Sequence, residues 1–318
     1  MQNYPLTSKV RDDFPILKRK IHGHSLAYLD NASTTQKPNC VIDALVNFYE
    51  NHNSNVSRSV YTLAEEATEI YEEGRESIAN FVGAEESGNI IFTRGTTESI
   101  NLVASAWAQP NLKNGDRILV TEMEHHSNLV PWQLATKASG AELVYWPITP
   151  ESGSSGGGRL DLQMLDELLT DSVKRQRSIR LLAVTAVSNV LGTVNPIAKI
   201  VEMAHDRGVP VLVDAAQAAA RMPIDVSGWD CDFLAFSGHK VYGPTGIGVL
   251  YAKKERLEEM LPYQGGGGMI CQVGRQTSTW AEAPQKFEAG TPPVAEVSGL
   301  AAAVEYIRNF AMAEIQQH

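Results

Sequence analysis

Short, nearly continuous apolar runs alternate with apolar residues at helical spacing along most of this chain. Runs such as LLAV (181–184) and FLAF (233–236) are typical of strands that are buried on both faces of a parallel sheet. Between them, apolar residues recur every three or four positions, as they do in amphipathic helices. This repetition predicts an α/β fold around a mainly parallel sheet. We expect eight strands, at Leu26–Leu29, Ile90–Thr93, Arg117–Thr121, Glu142–Trp146, Arg180–Ala186, Pro210–Val213, Asp232–Ser237 and Ile247–Ala252.

The composition limits the functions that are possible. The 318 residues include 27 basic and 37 acidic side chains. The resulting net charge of −10 argues against nucleic acid or an anionic membrane surface as the main partner. No apolar run is long enough for a membrane helix, and the N-terminus lacks the apolar segment of a secretory signal. The cysteines, Cys40, Cys231 and Cys271, are few and far apart, which predicts a reducing compartment and no zinc site. We therefore expect a soluble, cytoplasmic protein without a bound metal.

The last predicted helix, near residue 318, has an apolar stripe along one face, and no later segment of the sequence is available to pack against it. An amphipathic helix normally packs such a stripe against another element. Only a few residues follow the stripe, so the sequence predicts that the chain has been cut short. It also predicts lowered stability, because the stripe would be left uncovered. The stripe consists of Leu300, Val304, Ile307 and Ala311.

The most specific motif is SGHKVYGPTGIG, at residues 237–248. Lys240 follows a buried strand and precedes a glycine-rich turn. Burial disfavours the ammonium form, so a fraction of such a lysine is the neutral amine that attacks carbonyl groups. The alternative is an ordinary surface lysine. The GPTGIG segment leads into a strand rather than a helix, which argues against a dinucleotide-binding loop.

Asp214 ends another buried strand, in the segment VPVLVDAAQ. Ligands of open α/β sheets bind beyond the carboxyl ends of the strands, and a buried carboxylate needs a partner. A protonated pyridine nitrogen is one suitable partner, as in enzymes that use pyridoxal 5′-phosphate (PLP). The alternative is that Asp214 caps a helix formed by the following AAQAAA segment.

Three further strand ends carry polar groups. Thr96 and Thr97 follow a strand and a Gly turn, where they predict either an anion site at a helix N-terminus or a plain capping box. His125 and His126 follow the next strand, and one imidazole could stack on a flat cofactor ring instead of lying on the surface. Asn189 closes a third strand, where its amide could bind a ring oxygen or a substrate carboxylate.

Together these motifs strongly resemble those of the PLP-dependent cysteine desulfurases, in the branch that includes selenocysteine lyases and SufS-type enzymes. The resemblance implies PLP-dependent transferase fold type I and a homodimer with its sites at the interface. It divides the chain into a small-domain segment (1–25), a PLP-binding large domain (26–293) and the start of a linking helix (294–318) to a missing small domain. The matching segments are LAYLDNASTTQKP, FTRGTTESINLVA, MEHHSNLVPWQ, VSNVLGT, VLVDAAQAA, CDFLAFSGHKVYGPTGIGVLY and KFEAGTP.

The resemblance also implies a role for each matching residue. Lys240 would be the Schiff-base lysine, Asp214 the partner of the pyridine nitrogen, and His125 the ring that stacks on the cofactor. Gln217 would bond the phenolic oxygen, and Asn189 would lie near the cofactor oxygen and the substrate carboxylate. The phosphate would be held by Thr96, Thr97, Ser237 and His239, and by Thr291 of the other subunit.

The reaction implied is the conversion of L-cysteine, or L-selenocysteine, to L-alanine. Sulfur would pass as a persulfide to an acceptor protein for iron–sulfur cluster assembly. Two alternatives stay open. One is an epimerase-like or aminotransferase-like enzyme of the same fold, which needs no thiol. The other is a PLP-binding partner without turnover.

Three departures from the family pattern put parts of this interpretation in question. The catalytic cysteine and a substrate-binding arginine of the family would lie beyond residue 318; Cys271, beside the glycines 265–268, is the one candidate substitute, while Cys40 and Cys231 are expected to be structural. The segment Ser57–Tyr61 replaces a family run with two histidines. The segment Ser152–Gly158 is predicted to be an inserted, flexible loop.

Overall fold

The computed structural model describes residues 8–56, 60–150, 158–174 and 178–317. The strands are β1 (Lys20–Ile21), β2 (His24–Ser25), β3 (Ile90–Thr93), β4 (Arg117–Thr121), β5 (Glu142–Trp146), β6 (Ile148–Pro150), β7 (Gly158–Leu160), β8 (Ile179–Thr185), β9 (Val211–Asp214), β10 (Phe233–Ser237), β11 (Gly248–Ala252), β12 (Ile270–Val273) and β13 (Ser278–Trp280). The α-helices are α1 (Asn39–Asn47), α2 (Thr62–Val82), α3 (Thr96–Val103), α4 (Gln109–Asn111), α5 (Val130–Ser139), α6 (Leu162–Lys174), α7 (Ile197–His205), α8 (Val226–Trp229), α9 (Lys254–Glu259), α10 (Val294–Arg308) and α11 (Met312–Gln317).

A seven-stranded sheet forms the centre of the molecule, in the order β3-β11-β10-β9-β8-β4-β5. The pairs β10–β9, β9–β8, β8–β4 and β4–β5 are parallel, whereas β11 is antiparallel to both of its neighbours. The carboxyl ends of β8, β9 and β10 therefore lie side by side at one edge of the sheet. This arrangement confirms the predicted α/β class and the mainly parallel sheet.

Alternate residues of each central strand pack on opposite faces of the sheet. In β8, Leu182 and Val184 belong to one hydrophobic core, whereas Leu181 and Ala183 belong to the other. Both faces are covered, which is why these strands have continuous apolar runs in the sequence. None of the helices in the described ranges is long and apolar enough to cross a membrane.

The predicted strand at Leu26–Leu29 is wrong. The short hairpin of β1 and β2 precedes this segment, and Leu29 is 92% exposed. The Tyr28 hydroxyl group donates to the Thr34 carbonyl oxygen, so the segment is held as a loop. A short apolar run forms a strand only where a neighbouring strand pairs with it.

The apolar stripe of α10 is covered, contrary to expectation. Leu300, Val304 and Ile307 are at most 1% exposed and belong to the same core as the buried face of α2. Helix α10 packs against α1 and α2, which come much earlier in the chain. The prediction of an uncovered stripe assumed a partner that follows in sequence. Ala311, the fourth residue of the stripe, lies beyond α10 and is partly exposed, and the lowered stability stays a prediction.

The predicted domain boundaries at residues 25 and 293 stay predictions. The N-terminal segment contacts α10, since the Tyr306 hydroxyl group donates to Asp13 and the rings of Phe14 and Tyr306 pack edge to face. Of the predicted flexible loop at 152–158, only Gly158 is described, as the first residue of β7; the rest lies outside the described residues.

Candidate active site

A cavity of about 350 Å³ opens beyond the carboxyl ends of the central strands. The last residues of β8, β9 and β10, which are Thr185, Asp214 and Ser237, line this cavity. Nine of the ten predicted site residues line this one cavity, namely Thr96, Thr97, His125, Asn189, Asp214, Gln217, Ser237, His239 and Lys240.

Lys240 lies in a short 3-10 turn, Gly238–Lys240, directly after β10. Burial lowers the pKa of its ammonium group, and Arg221 lowers it further, while Asp214 partly opposes both effects. Within the described parts of the chain, its amine has no hydrogen-bond or ion-pair partner. The residue therefore presents an amine to the cavity, with a larger neutral fraction than a surface lysine has.

Asp214 is 3% exposed and its carboxyl group has a single hydrogen-bond partner among the described residues, the Ala216 backbone N–H at 2.9 Å from Oδ1. Burial raises the pKa of the Asp214 carboxyl group, against a weaker opposing effect of Lys240. No α-helix follows it, since residues 216–220 form turns, so the helix-cap alternative is wrong. A buried carboxyl group with a free oxygen beside a cavity fits a cationic ligand atom.

An anion-binding arrangement lies where α3 begins. Gly95 is the N-cap residue of α3, with a φ of 156°, and it has no side chain that could cap the helix. The Thr96 N–H donates to Ser237 Oγ at 2.8 Å, and the Thr96 and Ser237 hydroxyl groups lie 2.7 Å apart. N–H and hydroxyl groups at a helix N-terminus favour a phosphate. The N-cap residue is Gly95, so the alternative of a capping box with Thr96 or Thr97 as the cap is wrong.

His125 is fixed by the residue two positions later. The Ser127 N–H donates to His125 Nδ1 at 3.1 Å, and the Ser127 hydroxyl group lies 3.0 Å from the same nitrogen. Burial lowers the pKa of the His125 ring, and the charges of Lys240 and His126 lower it further. Because Nδ1 accepts a backbone hydrogen bond, the neutral ring carries its proton on Nε2.

The remaining predicted residues differ in their surroundings. Gln217 is buried, with Nε2 donating to the Ala32 carbonyl oxygen at 2.7 Å and Oε1 accepting from Arg221 at 2.9 Å. Asn189 is exposed at the edge of the cavity. Thr291 lines two other cavities, beside Tyr71 and Glu288, and its predicted contact from the other subunit stays a prediction.

Sequence reasoning did not identify Ser127, Thr185, Glu124 or Arg221. Ser127 and Thr185 line the cavity, and Arg221 fixes Gln217. The Glu124 carboxyl group accepts from the Thr121 hydroxyl group and the Thr185 N–H, which ties β4 to β8 behind the cavity. Ser127 and Glu124 belong to the quoted segment MEHHSN, whereas Arg221 carried no local signal.

The cysteines lie apart from this cavity. Cys271, expected in a mobile glycine-rich loop, is instead an exposed residue of β12, which pairs with β13. Cys40 is exposed in the first turn of α1, so its expected structural role is not supported by burial. Cys231 is buried, and burial raises the pKa of its thiol group.

Comparison with known proteins supports one family. The Aminotransferase class-V family profile matches residues 27–318. The chain belongs to that family. A probable cysteine desulfurase of Streptomyces coelicolor is 48% identical over 317 residues, covering 98% of this chain and 73% of the relative. A cysteine desulfurase of Escherichia coli is 47% identical over 311 residues, covering 98% and 74% of the two chains.

Solved structures agree with these relatives. The crystal structure of a cysteine desulfurase from Escherichia coli matches with a TM-score of 0.84 and 42% identity, covering 96% of this chain and 73% of the other. The apo structure of a cysteine desulfurase from Thermococcus onnurineus matches with a TM-score of 0.89 and 37% identity, covering 98% and 73%. The predicted family, fold type, enzyme class and PLP cofactor are confirmed.

The residues around the cavity fit PLP. The start of α3 with Thr96 and Ser237 suits its phosphate, the free oxygen of Asp214 suits a protonated ring nitrogen, and Lys240 suits its aldehyde. Among the described residues no group of acidic, histidine or cysteine side chains could hold a metal ion.

Proposed function

We propose that this chain converts L-cysteine to L-alanine, with a thiolate attacking the substrate sulfur, so that the carbon–sulfur bond breaks and the thiol becomes a persulfide. None of the cysteines at positions 40, 231 and 271 lines the cavity, so the assay below supplies the thiol. The observation that carries the proposal is that Lys240 and Asp214 face one cavity, where neither side chain has a side-chain hydrogen-bond or ion-pair partner among the described residues. When bound, PLP supplies an electron-accepting ring that stabilises negative charge at the substrate α-carbon.

Lys240 would hold the cofactor through its side-chain amine. The same amine, when neutral, would take the proton from the substrate α-carbon. Asp214 would favour a protonated ring nitrogen, because a carboxylate without another partner favours a positive charge beside it. The lowered pKa of Lys240 supports the first role and the buried position of Asp214 supports the second.

The other residues bind and orient. Thr96, Thr97, Ser237 and His239 hold the phosphate at the start of α3. His125 would stack its neutral ring on the cofactor. Ser127 donates to Nδ1 of this ring, so the ring proton is on Nε2. The remaining polar contacts come from Gln217 to the phenolic oxygen and from Asn189 to the substrate carboxylate.

The assembly and its setting belong to the same proposal. We expect a homodimer in which Thr291 reaches the phosphate of the other subunit, because Thr291 does not line the Lys240 cavity of its own chain. We also expect a cytoplasmic protein, since its three cysteines are free, and a separate protein as the sulfur acceptor.

The test is to supply PLP to the purified protein and to measure alanine and sulfide released from L-cysteine with a thiol reductant present. We expect a yellow protein and both products, with L-selenocysteine assayed in parallel. Lys240→Ala should lose the covalent link and at least about a hundredfold of the rate. Lys137→Ala, at an exposed position of α5, is the matched control.

Three results would contradict the proposal. Protein that stays colourless after PLP is supplied would exclude the cofactor role of Lys240. Racemisation without sulfide would favour the epimerase-like alternative. A yellow protein that releases no product, even with a thiol acceptor added, would favour the binding partner without turnover.

A further inference from the structure

Three side chains of the segment Thr34–Lys37 converge on the backbone next to Lys240. The His239 carbonyl oxygen accepts from Thr34 Oγ1 at 3.1 Å, from Thr35 Oγ1 at 2.9 Å and from Lys37 Nζ at 3.1 Å. The Thr35 N–H also donates to it at 2.9 Å. Four donors thus meet on an oxygen that has two lone pairs. We call Thr34, Thr35 and Lys37 the Thr–Lys cluster.

The Thr–Lys cluster also holds the chain on the other side of Lys240. The Tyr242 N–H donates to Thr35 Oγ1 at 2.8 Å, so this hydroxyl group donates to residue 239 and accepts from residue 242. Tyr242 has a φ of 59°, a left-handed conformation that a tyrosine adopts only where its surroundings impose it. The hydroxyl group of Thr35 therefore fixes the peptide group that precedes Lys240 and the peptide group between Val241 and Tyr242.

We propose that Thr35 and Lys37 are positioning residues that hold the turn of Lys240 so that its amine reaches the cavity. This inference rests on the proposed role of Lys240. The turn Gly238–Lys240 is a single 3-10 turn, so the contacts of residues 239 and 242 largely set the direction of the lysine side chain. A misplacement of about 1 Å is enough to cost a reaction about a hundredfold in rate.

Two observations favour positioning over loop stability alone. The two residues just before the Thr–Lys cluster, Ala32 and Ser33, line the cavity, and the Ala32 carbonyl oxygen accepts from Gln217. This part of the chain therefore belongs to the site. Lys37 is also partly buried, and burial lowers its pKa to about 8. Placing an ammonium group there is costly, and its two carbonyl acceptors, on Thr35 and His239, offset that cost.

The test compares Thr35→Val, which removes both hydroxyl hydrogen bonds, with Thr35→Ser, which keeps them. Thr136→Val removes a buried hydroxyl group that bonds within α5 and is the matched control. The readouts are kcat and KM with L-cysteine, the pH midpoint of the visible absorbance of the PLP-loaded protein, and the thermal midpoint of the apoprotein.

For Thr35→Val we expect kcat to fall about tenfold to a hundredfold, with a smaller change in KM. The pH midpoint should rise by about half a unit or more, because a looser turn exposes the lysine nitrogen to water. Thr35→Ser should restore both values, and Thr136→Val should leave both unchanged. If Thr35→Val does not fold, Lys37→Met and its conservative variant Lys37→Arg provide the same comparison at a less buried position.

Failure of the positioning role and failure of the proposed function would give different results. If wild-type protein turns over but Thr35→Val and Lys37→Met keep the wild-type kcat and pH midpoint, the positioning role is wrong while the proposed function stands. The positioning role is also wrong if the changes in these two variants do not exceed those of Thr136→Val. If wild-type protein takes up no PLP, the proposed function fails and the positioning role fails with it.

Discussion

Asp214 and Asp232 are both almost fully buried and lie at opposite ends of the same sheet. Asp232 precedes β10 at the amino end, where its carboxylate accepts from His205, from Arg256 and from the Val211 N–H, each at 2.8 Å. Asp214 ends β9 at the carboxyl end, where its carboxyl group accepts only from the Ala216 N–H among the described residues.

The difference separates a structural charge from a functional one. A buried carboxylate is stable when charged and polar groups surround it, as they surround Asp232. Without such partners the carboxyl group of Asp214 is costly, and its raised pKa reports that cost. A site that keeps a buried charge unpaired is prepared for a ligand that supplies the missing partner.

The largest expected effect is that of Asp214→Asn on catalysis. The amide cannot favour a protonated ring nitrogen, so we expect kcat/KM to fall by about a hundredfold or more, while the protein still binds PLP. The apoprotein should be as stable as wild type or more stable, since a buried unpaired charge is removed. Steady-state kinetics and urea unfolding of the apoprotein measure the two effects. A large loss of apoprotein stability would contradict the comparison.

Asp232→Asn should lower the stability of the protein and leave its turnover unchanged. The amide cannot accept well from both His205 and Arg256, so we expect a loss of about 2 kcal/mol in the free energy of unfolding. Turnover by the folded protein should stay near that of wild type. Asp230→Asn is the control, because Asp230 is exposed and should contribute less than about 1 kcal/mol. Equal losses in the free energy of unfolding for the two variants would mean that the burial of Asp232 does not increase its contribution to stability.

Glu124→Gln should change the pH dependence of the free energy of unfolding. Burial raises the pKa of Glu124 from its ordinary value of 4.5 to about 8. Between these values the folded state holds the proton that the unfolded state has released, so wild-type stability falls as the pH rises. Glutamine does not titrate, so the stability of Glu124→Gln relative to wild type should grow from about pH 4.5 to 8 and then level off.

Urea unfolding at pH 5, 6.5 and 8 measures this difference. Glu86→Gln removes one carboxyl group from the unfolded chain in the same way, at an exposed position, and serves as the control. A stability difference that stays constant from pH 5 to pH 8 would mean that the hydrogen bonds from Thr121 and Thr185 hold Glu124 ionised in the folded protein.

Much of the sheet could be predicted from the sequence. The strands Ile90–Thr93, Arg117–Thr121 and Glu142–Trp146 were predicted with the bounds that the structure has. The hairpins of β6 with β7 and of β12 with β13 were missed, because these strands are short and carry no continuous apolar run. A strand that is buried on both faces has a nearly continuous apolar run in its sequence, whereas the strands of an exposed hairpin have no such run.

The site could be predicted where its residues stand at strand ends. Lys240 and Asp214 were identified because they follow or end buried strands, and the carboxyl ends of parallel strands meet at one edge. Ser237 was implied only by the resemblance to the cysteine desulfurases. Thr35 and Arg221 could not be identified as parts of the site. Arg221 lies outside every matching segment. Thr35 lies within LAYLDNASTTQKP, but its role depends on a contact with His239, which is 204 positions away in the sequence.

The sequence by itself determined the layered α/β fold and the set of polar groups at one edge of its sheet, because both depend on local periodicity and on the direction of the strands. Only the tertiary structure decided which polar groups find partners. Asp232 is surrounded and Asp214 is not, Thr35 bridges the two sides of Lys240, and α10 is covered by helices from the other end of the chain. Hydrogen bonding and burial depend on distance in space, and distance in space is fixed only when the chain has folded.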